Sequence, residues 1–210
     1  MAYRARLFID FWNFQLSWNA HLTQDSRCDW PRLPVRLIAE AQRAIARAGI
    51  VEPLLLEETR VYASYNPDRS EDARLKGWLT NFLDRQASFR VFVAERKDKP
   101  TVFYCRDCRQ EFDRCPSCCK PLVRSREKGV DTAIVTDILS LAWEGAFEVA
   151  ILVSSDADMI PCVERVQEKG LKVINATWPG RGFDLAATCW ASFDILALGN
   201  QLVRPDSTDP

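Results

Sequence analysis

The chain has 210 residues, 47% of them hydrophobic and 27% charged, with a formal net charge of -1. This is an ordinary globular composition, long enough for one α/β domain and a small insert. No apolar run approaches the ~20 residues of a membrane-spanning helix, and the run ahead of Asp10 is too short for a signal-peptide core, so a cytoplasmic location is expected.

Arg6 to Asp10 is a short apolar run closed by an acid and predicts a buried strand. Leu33 to Ala48 repeats apolar residues at helical spacing (Val35, Leu37, Ile38, Ala41, Ile45) and stops at Gly49. Arg60 to Tyr65 predicts a strand ended by Asn66-Pro67-Asp68. Glu71 to Gln86 predicts an amphipathic helix with Leu75, Trp78, Leu79, Phe82 and Leu83 on one face. Phe89 to Ala94 is the next strand. Residues 97–126 are dense in Cys, Pro and charge and read as an insert. The rhythm resumes with a helix over Asp131–Trp143, a strand over Phe147–Val153, a helix over Met159–Glu168 and a strand over Leu171–Ala176. Leu185 to Leu198 predicts a mostly helical close. Repeated strand–helix–strand units imply a mostly parallel sheet with helices on both faces. The expected organisation is a main domain over 1–203, the insert at 97–126 within it, and a polar tail at 204–210.

Charge is uneven. Arg96 to Lys128 holds ten Lys/Arg and five Asp/Glu, while the rest of the chain is net acidic. An acidic body suits a cation site and a basic insert suits phosphates. Three acidic groups fall at or near expected strand ends, where ligands bind in an open parallel sheet. Asp10 closes the first strand, with Asn13 three residues on. Asp156 and Asp158 follow Val153 through Ser154-Ser155. Asp131 opens a helix, and Asp137 lies two turns further along it. Each of these acids, taken alone, also reads as a strand end or a helix cap. Gathered together, they repel unless a hard divalent cation such as Mg²⁺ neutralises them. Such ions activate water and stabilise a leaving oxygen in phosphodiester hydrolysis. His21 is the single histidine, so a paired-histidine mechanism is excluded. Neither a Gly-x-Ser-x-Gly elbow nor a phosphate loop ending in Gly-Lys is present.

These segments resemble the NYN domains of the PIN-like nucleases, close to their LabA-like branch. The likeness rests on Leu7-Phe-Ile-Asp10-x-x-Asn13, on Lys128-Gly-Val-Asp131 with the later Asp137, and on Ser154-Ser155-Asp156-Ala-Asp158-Met-Ile-Pro161. It implies a PIN-like three-layer sandwich and a divalent-metal ribonuclease using Mg²⁺ or Mn²⁺. It further implies Asp10, Asp131, Asp156 and Asp158 as metal ligands, Asn13 as an orienting group and Asp137 as a lesser acidic contributor. Two positions depart from the family. Phe11-Trp12 stands where glycine is frequent, and Ser155 replaces the glycine of Ser-Gly-Asp.

In the insert, Cys105-x-x-Cys108 and Cys115-x-x-Cys118 have the spacing of two knuckles presenting four thiolates to a structural Zn²⁺, a zinc-ribbon or knuckle module. Cys119 competes with Cys118 for the fourth place. Cys28, Cys162 and Cys189 read as small apolar residues. Arg106, Arg109, Lys120, Arg124, Arg126 and Lys128 are candidate RNA-phosphate contacts, and Phe103, Tyr104 and Phe112 candidate base-stacking groups. RNA is thus the expected partner, with no membrane. The oligomeric state stays open, a homodimer included. Alternatives are an RNA-binding scaffold that cuts little and, ranked last, a phosphatase of haloacid dehalogenase type. In the latter, the Asp-x-Asp pattern would open the first strand.

Overall fold

A computed structural model describes residues 2–23, 26–126 and 129–205. Lys128 and most of the expected tail therefore lie outside the described residues. Strand β1 (Tyr3–Asp10) is apolar on both faces, with Ala5, Leu7, Phe8 and Ile9 fully buried. Only a central strand of a sheet covered on both sides buries such a run. Helix α1 (Phe11–His21) follows without a linker because Asp10 caps it, accepting from Asn13 N at 3.1 Å. The sequence reading did not foresee this helix.

The first half continues with α2 (Leu33–Arg47), β2 (Leu54–Tyr65), α3 (Ser70–Asn81) and β3 (Phe89–Glu95). Strand β2 starts six residues earlier than expected, since Leu54 to Glu58 pair in parallel with Tyr3 to Arg6 of β1 and the acids of this stretch are held by ion pairs. Glu58 bonds both Arg6 and Arg60 at 2.6 Å. Helix α3 stops at Asn81, short of the expected end, and Leu83–Arg85 forms a separate 3-10 turn.

Residues 97–126 leave the main sheet. They form β4 (Lys97–Pro100), β5 (Phe103–Tyr104), β6 (Glu111–Phe112) and β7 (Val123–Arg126), paired β4–β7 and β5–β6 in two antiparallel ribbons. The body resumes with α4 (Val130–Trp143), β8 (Val149–Val153), α5 (Ile160–Glu168) and β9 (Lys172–Thr177). It closes with α6 (Phe183–Thr188) and β10 (Ala191–Asp194). The closing segment corrects the mostly helical expectation. Ala191–Asp194 pairs in parallel with β9, and a 3-10 segment, Ile195–Leu202, follows. Pairing along an open sheet edge overrides the apolar spacing of these residues.

The six strands are all parallel, in the order β10-β9-β8-β1-β2-β3. Helices α1, α2 and α3 pack on the face carrying Leu7, Ile9, Val61 and Ile151. Helices α4, α5 and α6 pack on the face carrying Phe8, Tyr62, Leu152 and Val173. Each such buried side chain stabilises the fold by roughly 1.5–3 kcal/mol relative to exposure. The chain builds outward from β1 in one direction and then, after the insert, in the other. The boundary between β1 and β8 is thus a topological switch point, where the strand ends open a crevice. No helix among the described residues is long and apolar enough to cross a membrane.

Candidate functional site

Alternation along β1 decides where Asp10 points. It shares parity with Phe8, whose side chain packs under α4, α5 and α6, so Asp10 faces that layer. In register, Ile9 lies beside Val153 of β8, which brings Ser154 next to Asp10. Ser154 Oγ lies 3.5 Å from Asp10 Oδ2 and accepts from Asp156 N at 3.2 Å. Asn13 Oδ1, one turn into α1, accepts from Ser155 N at 3.0 Å. Asp156 in turn accepts from Asp158 N at 2.9 Å, capping the 3-10 turn Ala157–Met159. Asp10, Asn13, Asp156 and Asp158 therefore belong to one hydrogen-bonded edge. Asp10 is buried, Asn13 and Asp156 are half-buried, and Asp158 is exposed.

Two groups that the sequence did not announce fix this edge. Buried Asn175 of β9 donates through Nδ2 to the carbonyls of Leu152 and Ser154, at 3.0 and 2.9 Å. Gly182 sits at φ +62, and a Cβ there would stand 2.7 Å from Ser155 Cα. The glycine thus permits the loop after β9 to press against the Ser155–Asp156 backbone. The Pro179-Gly-Arg-Gly182 run has turn composition, but only the tertiary contact gives it this role. Ser155 Oγ is buried and has no hydrogen-bond partner among the described residues.

Asp131 is in the first turn of α4. The short link from Trp143 to Val149 makes α4 run back against β8, which carries its N-terminus toward the carboxyl edge of the sheet. The helix packs on β1, β2 and the Ala157–Met159 turn. Asp131 is exposed there. Asp137, further along α4, is engaged elsewhere. Its Oδ2 accepts from Arg60 Nη1 at 2.6 Å and from Tyr62 OH at 2.8 Å. Burial, and then Asp137, pushes the Tyr62 phenol up. The Arg60–Asp137–Tyr62 contact is a brace between helix and sheet, another element that no local sequence signal revealed.

Hard oxygen donors at one edge suit a divalent cation in chemistry. Among the described residues, however, neither these carboxylates nor the cysteines are drawn together as three or more side chains around one point. A separate concavity of about 860 Å³ opens between α1 and α3, with Phe11, Trp30, Trp78 and Phe82 in its walls. Asp29 is its only carboxylate among the described residues. The acids are therefore not in it.

The insert contains two knuckles of one design, offset by ten residues. Cys105 N donates to Gln110 O, and Arg109 N to Cys105 O, both at 2.9 Å; Cys115 N donates to Lys120 O, and Cys119 N to Cys115 O, also at 2.9 Å. Arg109 and Cys119 both take the left-handed conformation, at φ 59 and 56. Cys119 therefore corresponds to Arg109, and Cys118 to Cys108. The amides of Cys108 and Asp107 and the Cys108 thiol hold the Cys105 thiol below its usual range. The amides of Cys118 and Ser117 and the Cys118 thiol do the same for Cys115. Arg106, Arg109, Lys120 and Arg124 are exposed, as are Phe103 and Tyr104, while Phe112 is half-buried. Arg126 is in β7.

The seven tryptophans mostly pack rather than face solvent. Trp18 and Trp178 are buried against each other, with ring centroids 6.4 Å apart, and His21 stacks on Trp178. Trp12 lies at the edge, donating through Nε1 to Ser64 O at 2.8 Å beneath the Arg96 guanidinium.

A solved structure of similar shape is a protein of unknown function, VPA0982, from Vibrio parahaemolyticus. It matches with a TM-score of 0.55 at 15% identity over 97% of each chain, a likeness of fold alone. No curated protein matches the sequence. The NYN domain family matches residues 4–193, nearly the whole described body with its Asp10, Asp131 and Asp156 segments, and the chain belongs to that family.

Proposed function

We propose that the protein is a metal-dependent ribonuclease that hydrolyses RNA phosphodiester bonds at the carboxyl edge of its sheet. The observation that carries this reading is the link between Asp10 and the Asp156 loop, through Ser154 and Asn13, at the switch point of an NYN fold. Asp10, Asp131, Asp156 and Asp158 would hold Mg²⁺ or Mn²⁺. A bound ion would supply neutralising charge, an acidified water and stabilisation of the leaving 3′ oxygen. Asn13 has committed its amide oxygen to Ser155 N, so its NH₂ is the group left to orient a substrate oxygen. The orphaned Ser155 hydroxyl can accept or donate at the same edge. Asp137 acts on the position of α4 through Arg60 and Tyr62 rather than on the scissile phosphate.

In the insert, Cys105, Cys108, Cys115 and Cys118 are assigned to one structural Zn²⁺. The repeated knuckle geometry supports Cys118 over Cys119. Both knuckles are formed as half-sites, and closing them on one ion is the step that metal would drive. Arg106, Arg109, Lys120, Arg124, Arg126 and Lys128 would contact RNA phosphates.

Labelled single-stranded RNA incubated with the protein and Mg²⁺ or Mn²⁺ tests the reading. The Asp156→Asn variant should lose cleavage by on the order of 100-fold or more, since a metal ligand contributes several kcal/mol of transition-state stabilisation. A second reading, an RNA-binding scaffold with little cleavage, is favoured by Ser155, whose side chain stands where the family's glycine leaves backbone accessible. Tight RNA binding without metal-dependent cleavage in the unaltered protein would establish it. Turnover of a small phosphate ester with RNA untouched would instead point to the phosphatase.

A further inference from the structure

The β4–β7 ribbon presents an unusual pairing. In its antiparallel register Lys97 stands opposite Arg126, and Lys99 opposite Arg124, with Asp98 opposite Ser125 between them. Strand alternation therefore gathers Lys97, Lys99 and Arg124 on one face of a two-stranded ribbon, with Lys99 and Arg124 directly facing. Like charges placed opposite each other across strands are destabilising. The other face is tied to the body through Asp98, which bonds Arg69 at 2.6 Å. Lys97, Lys99 and Arg124 are exposed while Asp98 is half-buried, so the charged face is the solvent face.

The root of the ribbon is held firmly. Arg96 N donates to Tyr65 O at 2.8 Å, at the carboxyl end of β2. Its guanidinium bonds Asp72 at 2.7 Å and lies 4.4 Å over the Trp12 ring. Trp12 is two residues from Asp10. On the other side β7 ends at Arg126, four residues before α4 begins at Val130. The β4 end of the ribbon is thus rooted beside the edge that carries the carboxylates.

We infer that the β4–β7 ribbon is a phosphate track, which holds the backbone of a single RNA strand along Lys97, Lys99 and Arg124 and leads it to the acidic edge. The identification of the strand as RNA rests on the nuclease reading; the track itself rests on the register. Successive rungs on one face lie ~6.8 Å apart, a spacing that suits neighbouring phosphates of an extended strand. A polyanion on this face converts the repulsive Lys99–Arg124 pair into paired charges, which accounts for a cross-strand arrangement that folding alone disfavours. The contacts are to phosphate, so the track reads no sequence.

The test is the salt dependence of binding to a fluorescein-labelled 20-nucleotide oligouridylate, followed by anisotropy in KCl without added divalent metal. Each lost phosphate contact lowers the slope of log K against log salt by ~0.7 for single strands. Lys97→Gln/Lys99→Gln/Arg124→Gln should therefore flatten the slope by about 2 and weaken binding roughly tenfold or more at low salt. Arg124→Gln alone should flatten it by ~0.7, and Lys97→Arg/Lys99→Arg should leave it unchanged. Arg36→Gln/Arg43→Gln/Arg47→Gln, an equal charge loss on exposed α2, is the comparison. A wild-type slope in both the triple and the Arg124→Gln variants, or an equal drop in the α2 variant, overturns the track. Cleavage that persists while the ribbon variants bind as the wild type sinks the track alone. Ribbon-dependent binding with no cleavage sinks the nuclease reading and leaves the track standing.

Discussion

The body and the insert reach order by opposite means, and their cysteines show it. In the body, burial pushes the thiols of Cys162 and Cys189 up, to about 11 and about 12, as expected of small apolar side chains in a packed layer. In the insert, Cys105 and Cys115 are shifted down by amides aimed at their sulfurs. The body can stand on its core. The insert has two ribbons of four-residue and two-residue strands and almost no buried side chain, and isolated two-stranded hairpins are marginal in water. The same residue type is thus packing material in one region and, on the proposed reading, a zinc ligand in the other.

That contrast breaks most visibly if metal is irrelevant to the insert. Structural zinc contributes apparent free energies of ~10–16 kcal/mol in small modules, so removing it should unfold the insert outright. We expect amide hydrogen exchange to show residues 97–126 losing protection after chelation, with β1 and β8 still protected. Cys118→Ser should abolish the one-zinc stoichiometry and Cys119→Ser should retain it. The reverse pattern would reassign the fourth ligand.

The complementary perturbation falls on the body. Ile151 is fully buried at the centre of β8. Ile151→Ala should cost about 2–5 kcal/mol in denaturant unfolding and leave zinc content as it was. Loss of zinc in that variant would show the two regions to be one cooperative unit.

The smallest effect on stability, and the most local, is expected at Gly182. Ala at this position meets the Ser155 backbone at 2.7 Å and takes a left-handed conformation costing about 1–2 kcal/mol. Gly182→Ala should displace the Asp156 loop, so that cleavage falls further than the melting temperature suggests. Equal activity in the two proteins would detach that loop from catalysis.

Much of the fold was legible because buried parallel strands announce themselves as continuous apolar runs. β1, β8 and β9 lie within a few residues of their expected places. Helix α1 was missed because Trp12 and Leu16 add apolar residues outside the buried stripe of Phe11, Phe14 and Trp18, which blurs the 3.6-residue period; Leu16 is exposed. β10 was missed because four residues at a sheet edge gain their order from β9 rather than from their own pattern. In the site, Asp10, Asn13, Asp156 and Asp158 were named from position at strand ends. Asn175, Gly182 and the Arg60–Tyr62 brace of Asp137 were not, since each acts on residues at least 20 positions away in the chain.

By itself the sequence determined the types of most elements, the parallel α/β class and the identity of the acids and thiols, because these follow from hydrophobic period and donor chemistry. Only the tertiary structure decided which acids share an edge, that Asp137 is held by an arginine, which of Cys118 and Cys119 repeats the place of Cys108, and that Lys97, Lys99 and Arg124 face one way on the ribbon. Those outcomes depend on strand register and on contacts between distant segments, and no local pattern of residues encodes either.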